Sequence, residues 1–168
     1  MVAATSQAPS RPAATPAPSA TAPEAGKAAA KLSVLIVEEE GYTRTLLRTV
    51  ARALGAEQIA TVNGAKAALR LVEETSINLV ICDLQLPEMS GLDFLAELRR
   101  RAPEVQFLLI SNQSDPQHIQ EAVNSGVSAI LVRPFSRAQV EAKLRYLANR
   151  IAPNMVPTLA RAASTSHA

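Results

Sequence analysis

Several residues of this chain have the right chemistry to handle a transferable anionic group: the run Glu38-Glu39-Glu40, the carboxylate of Asp83, the hydroxyl of Ser111 and the guanidinium of Arg133. Carboxylates crowded together need a counter-charge, and a hard divalent cation with oxygen ligands supplies one. An aspartate in such company can act as a nucleophile that accepts a phosphoryl group. A metal ion, Ser111 and Arg133 would then hold the oxygens of the transferred group.

These residues are far apart in sequence, so a fold must gather them. Each follows a short apolar run. Val34-Leu35-Ile36-Val37 precedes the glutamates, and Leu79-Val80-Ile81-Cys82 precedes Asp83. Val105–Ile110 precedes Ser111, and Ala129–Val132 precedes Arg133. Continuous apolar runs rich in β-branched residues read as strands buried on both faces, hence as a parallel sheet covered by helices. Gln58–Val62 is a weaker fifth run.

Helical periodicity fills the gaps between strands. Leu46, Leu47, Val50 and Leu54 form one stripe, stopped by Gly55. Ala68, Leu69 and Val72 form a second within 65–74, and Leu92, Leu95 and Leu98 a third within 90–101. Arg99, Arg100 and Arg101 suit the negative end of that third helix. Pro116 after Asp115 opens a fourth helix that ends near Gly126. Ser136 caps a fifth that runs to about Arg150, with Val140, Leu144 and Leu147 inward. The sum is (βα)5, a doubly wound α/β sheet. Ligands in such sheets bind at the carboxyl ends of the strands, where the candidate residues lie.

Composition limits the alternatives. The 168 residues suit one domain of ordinary size. The hydrophobic fraction of 48% is inflated by alanine, for residues 1–30 hold 12 Ala and 5 Pro. Residues 1–31 therefore read as a disordered Ala/Pro-rich arm, 32–150 as the folded domain, and 151–168 as a flexible tail. The flanks carry a net +3 against +2 for the whole chain, leaving 32–150 at net −1, which gives no basic face for nucleic acid. One cysteine excludes an intrachain disulfide and a Cys-rich zinc site, and a cytoplasmic location is the expectation. No stretch approaches the ~20 apolar residues of a membrane span.

The order VLIVEEE, ICDLQLPEMSG, LLIS and LVRPF resembles the receiver domain of two-component response regulators over roughly residues 32–150. Its most specific element is Asp83, Pro87 and Gly91, each separated from the next by three residues. The resemblance implies a flavodoxin-like sheet of strand order 2-1-3-4-5, with Asp83 as phosphoacceptor. It implies Mg²⁺ held through Glu38, Glu39, Asp83 and the backbone carbonyl of Gln85, with Glu39 at the direct-ligand position. It places Ser111 at the switch position and Arg133 where the family has lysine, and it makes Arg133–Pro134 a cis bond.

Three departures stand beside the match. The acidic pair is Glu-Glu, one methylene longer per side chain than aspartate, which should weaken Mg²⁺ binding. Arginine offers a planar fork in place of a compact ammonium, and can pair with Asp83, Glu38 or Glu39 and partly occupy the metal's place. Ile130 stands where many receivers carry a switching Tyr or Phe.

The resulting expectation is a stand-alone receiver without an output domain. It takes a phosphoryl group from a histidine kinase or phosphotransfer protein and signals by contact with a downstream protein, through the helix 4–strand 5–helix 5 face. Such a protein is no enzyme beyond assisting its own phosphotransfer and dephosphorylation. No DNA-binding domain is expected, and a homodimer is a further candidate assembly. The alternative is a degenerate receiver, a protein-binding module independent of phosphorylation. An aspartate-nucleophile phosphatase would want a second Asp two residues after Asp83, where Gln85 stands. His118 reads as a surface residue and Cys82 as core. Arg44, Arg48 and Arg52 read as a solvated helix face or a docking stripe for an acidic partner.

Overall fold

The computed structural model describes residues 31–153. Of the arm and the tail expected from composition, all but Lys31 and residues 151–153 lie outside the described residues. Five strands and five helices alternate: β1 Ser33–Val37, α1 Gly41–Ala53, β2 Gln58–Val62, α2 Ala65–Glu74, β3 Leu79–Asp83, α3 Gly91–Arg101, β4 Gln106–Ser111, α4 Pro116–Asn124, β5 Ala129–Val132 and α5 Arg137–Ile151. All strands are parallel, in the order β2-β1-β3-β4-β5. The expected fold class and strand order are those found.

Strand side chains alternate between two cores, as the pleat requires. Val34, Ile36, Leu79, Ile81, Leu108 and Ile110 face one side, packed against α1 and α5 through Leu47, Val50, Val140, Leu144 and Leu147. Leu35, Val37, Val80, Cys82, Phe107 and Leu109 face the other, against Ala68, Phe94, Leu95 and Leu98. Each fully buried aliphatic or aromatic side chain here contributes about 1.5–3 kcal/mol relative to exposure. The rings of Phe94 and Phe107 meet with centroids 5.9 Å apart. Helix α3 presents Phe94 to this core, while the expected Leu92 is only partly buried. Helix α5 runs one residue past the expected end and Ala152 is buried, so the folded part extends past residue 150.

Helix ends are sealed locally. Ser90 caps α3, Asp115 caps α4 ahead of Pro116, and Ser136 forms a capping box with Gln139 on α5. Gly55 and Gly126, both at φ +88°, turn the chain after α1 and α4 in the left-handed region where a side chain would be strained. The start of α2 is sealed from a distance. Gly64 offers it no side-chain cap, and the carboxylate of Glu88 accepts the Lys66 N–H at 3.1 Å instead. This contact ties the loop after β3 to α2.

Candidate functional site

Parallel register puts the candidate residues on one edge. Val37 lies beside Cys82, Asp83 beside Ile110, and Ser111 beside Val132. Backbone bonds extend the sheet slightly past the strand ends. The Glu38 N–H donates to the Val62 carbonyl, Leu84 N–H to Ile110, and Arg133 N–H to Ser111 at 2.8 Å. Glu38, Asp83, Ser111 and Arg133 thus emerge from four neighbouring strands at one level.

Arg133 binds this edge together. One terminal nitrogen (Nη2) donates to Glu38 Oε2 at 2.7 Å and to Asp83 Oδ2 at 3.0 Å. The other (Nη1) donates to Thr43 Oγ1 at 3.0 Å and lies 3.9 Å from Glu40 Oε2. The guanidinium carbon sits 5.6 Å from the centroid of the Phe135 ring, within cation–π range. The Arg133–Pro134 bond is cis, as the resemblance implies.

The three consecutive glutamates divide their tasks. Glu38 is buried, at 1% exposure, and its Oε1 accepts the Glu40 N–H at 2.9 Å. A carboxylate so far from water needs a partner, and Arg133 is it. Glu40 caps α1, accepting the N–H groups of Tyr42 and Thr43 at 3.0 and 2.9 Å. Glu39 is exposed, and no hydrogen bond or ion pair joins it to Asp83. The expected convergence of all three on Asp83 is therefore corrected: Glu38 shares one Arg133 nitrogen with it, Glu40 stands 3.9 Å from the other nitrogen, and Glu39 faces solvent. Glutamate lies outside the usual N-cap set, so the role of Glu40 left no clear mark in the chain. Thr43 left none either: it is a buried hydroxyl on α1 that the sequence reading missed.

Asp83 projects into the same space, its side chain 16% exposed. Its Oδ1 accepts the Gln85 N–H at 2.9 Å. The backbone N–H of Gln85 thus holds one carboxylate oxygen of Asp83 in place. Behind Asp83 the chain packs tightly. A Cβ on Gly91 would come within 2.5 Å of the Asp83 carbonyl oxygen and 3.0 Å of Leu84 Cα. Gly91 N–H donates to the Leu84 carbonyl at 2.7 Å. The Asp83–Pro87–Gly91 spacing is the length of loop that folds back onto its own start.

Ser111 is buried at the end of β4, and its hydroxyl is engaged within its own loop. The Gln113 N–H donates to Ser111 Oγ at 2.9 Å, and Ser111 Oγ donates to the Gln113 carbonyl at 3.3 Å. Ile130 lines the small cavity between this loop and α4, with Leu84, Ala122 and His118. His118 Nδ1 meets Asp115 Oδ2 at 2.9 Å, with its side chain about half exposed. Arg44 turns back to the Glu38 carbonyl and Asn63 Oδ1, at 3.3 and 3.0 Å, so it leaves the solvated face formed by Arg48 and Arg52.

Charge follows burial at this edge. Desolvation pushes the Glu38 carboxyl above the usual range and the negative Asp83 adds to the shift, while the Glu40 N–H and Arg133 oppose it. Hydrogen bonds from Thr43 hold the Glu40 carboxyl below that range. Burial raises the Cys82 thiol, helped by the charges of Asp83 and Glu38, which fits its expected place in the core.

The divalent cation expected here can be tested against these contacts. Among the described residues no three His, Cys, Asp or Glu side chains form a group that could hold a metal ion. The oxygens of Glu38 and Asp83 that face each other already share a guanidinium. The expected set of Glu38, Glu39, Asp83 and the Gln85 carbonyl is not assembled, and the residues as arranged do not fit Mg²⁺.

Comparison with known proteins agrees with this topology. Residues 34–145 match the family model for the response regulator receiver domain. The probable chemotaxis protein CheY of Rhizobium etli is 29% identical over 118 residues, which is 69% of this chain and 92% of that protein. Regulator of RpoS from Escherichia coli is 35% identical over 101 residues, 60% of this chain but only 30% of the relative. Among solved structures, the chemotaxis response regulator CheY4 of Vibrio cholerae superposes with a TM-score of 0.65 at 21% identity, covering 70% of this chain and 98% of that one. Strand order and family match coincide, and the chain belongs to the response regulator receiver family of two-component systems.

Proposed function

We propose that this receiver accepts a phosphoryl group on Asp83 from a histidine kinase or a histidine phosphotransfer protein and signals through contact with a downstream protein. One observation carries the reading: Asp83 is the carboxylate that stands partly open at the rim, with Oδ1 anchored by the Gln85 N–H and Oδ2 facing Arg133. In the transfer Oδ2 attacks phosphorus, the bond from phosphorus to the donor imidazole breaks, and the imidazole leaves with that electron pair. The product is an acyl phosphate. Arg133 can pass its hydrogen bond from Oδ2 to a phosphoryl oxygen, and Ser111 can supply a hydroxyl once it leaves Gln113. The chain assists its own phosphorylation and hydrolysis and turns over no separate substrate. Its site of action is the cytoplasm, where such donors are found; among the described residues no helix is long and apolar enough to cross a membrane.

The contact surface that best supports signalling is α4–β5–α5, where Ile119, Val123 and Tyr146 are exposed. The test is incubation with acetyl phosphate, and separately with a phosphorylated histidine domain, followed by intact mass. The expected result is one phosphoryl adduct, absent from Asp83→Asn. No adduct from either donor overturns the reading. A second reading, a binding module independent of phosphate, is favoured by the pairing of Arg133 with both carboxylates. Under it, Asp83→Asn leaves partner binding unchanged.

A further inference from the structure

Receiver domains generally bind Mg²⁺, yet here a protein cation stands between the acidic residues. We infer that Arg133 is the resident cation of this edge: its guanidinium occupies the place of a divalent ion and excludes one from Asp83 and Glu38. The inference rests on the geometry alone and holds under either functional reading.

Charge and directionality both support it. The gap between Glu38 Oε2 and Asp83 Oδ2 is filled by one nitrogen at 2.7 and 3.0 Å. A divalent ion bound by those same oxygens would sit about 2.0–2.1 Å from each, so ion and nitrogen compete for one position. The guanidinium is not loosely placed. Thr43 Oγ1 holds its second nitrogen at 3.0 Å, Phe135 lies against its carbon, and three quarters of the side chain is buried. Arginine is also well suited to the task, because it keeps its charge and is more weakly hydrated than an ammonium. Glu39, the one carboxylate of the trio without a described partner, is exposed and does not enlarge the acidic group.

An ion can enter only when Arg133 leaves. Its apparent affinity is then reduced by the fraction of molecules in which the arginine is displaced. For a minor state populated at ~0.1–10%, that is a weakening of about 10- to 1000-fold relative to a pocket without the arginine.

The experiment titrates Mn²⁺ into the full chain and reads free Mn²⁺ by electron paramagnetic resonance. Wild type is compared with Arg133→Ala and with Arg133→Gln, which keeps the first part of the side chain and loses its charge and its terminal nitrogens. Folding of each is checked by circular dichroism, and Arg133→Gln carries the comparison where the alanine variant does not fold. The expected result is a saturable single site in the variants, at least about tenfold tighter than any uptake by wild type. Adding Asp83→Asn to Arg133→Gln should abolish the gained site. Equal affinity in wild type and variants overturns the inference, and so does the absence of any gained site.

Discussion

Two partly buried arginines hold opposite ends of the sheet, and they do it with different partners. Arg99, near the end of α3, donates to the carbonyls of Pro103, Val105 and Gly126 at 3.3, 2.7 and 3.0 Å. It ties together the entrances to β4 and β5. Arg133, just after β5, donates to two carboxylates and a hydroxyl. Carbonyl dipoles satisfy a guanidinium's hydrogen bonds and leave no net charge stranded if it is lost. A buried carboxylate cannot be abandoned in this way. The Arg99 end is therefore a clamp, while the Arg133 end is a charge balance that another cation could restore.

The largest expected effect follows from that asymmetry. Arg133→Ala leaves Glu38 buried without its counter-charge, and should cost about 3–5 kcal/mol in urea unfolding at neutral pH. Arg99→Ala removes hydrogen bonds but strands no charge, and should cost about 1.5–3 kcal/mol. Equal losses would show that the two ends do not differ in kind. Gly91→Ala drives a methyl into the Asp83 carbonyl and should cost about 1–3 kcal/mol through backbone displacement. Because it acts on the rim, it should also shift the amide resonances of Asp83 and Gln85, which Arg99→Ala should leave in place.

The smallest effects are in the pH dependence, which the Arg133 end shows, with opposite signs at Glu38 and Glu40, and the Arg99 end does not. The folded-state pKa of Glu38 is raised by burial. The folded protein therefore holds its proton more tightly than the unfolded chain, and this stabilisation is full below the unfolded pKa and lost as pH rises through the folded one. The folded-state pKa of Glu40 is lowered by Thr43. Its contribution is present above the unfolded pKa and lost as pH falls through the folded one. The stability difference between wild type and Glu38→Gln should thus shrink with rising pH, and that between wild type and Glu40→Gln with falling pH. The difference between wild type and Arg99→Ala should stay flat across the same acidic range, since its partners are carbonyls. Urea melts between pH 3 and 7 compare the three, with that span chosen to bracket the ordinary carboxylate range of about 3.9–4.3.

Much of the fold was legible before any coordinates. Leu79–Cys82 and Val34–Val37 are wholly apolar because both sheet faces are covered, and this alone signals a parallel sheet. Asp83, Pro87 and Gly91 were legible as a unit only through the family resemblance, and the structure supplies the reason for the glycine, since a Cβ there would meet the Asp83 carbonyl oxygen at 2.5 Å. Less visible were the contacts between elements. Phe94 was overlooked beside a leucine stripe, although its burial against Phe107 fixes how α3 sits. Glu88 gave no sign that it would seal the start of α2, 22 residues away.

The rim shows where the division falls. Residue types and their order after each strand determined that carboxylates, a hydroxyl and a cation would share one edge, because parallel strands must end together. Which carboxylate meets which cation was decided only by the tertiary structure. Glu38, Glu39 and Glu40 are chemically identical and adjacent, yet one is buried on Arg133, one faces solvent and one caps a helix. The direction of the backbone as it leaves β1 separates them, and no spacing in the chain encodes that direction. The reach of Arg133 across β1 and β3 has the same origin: a long side chain settles where buried charge is otherwise uncompensated, and that place exists only once the sheet has formed.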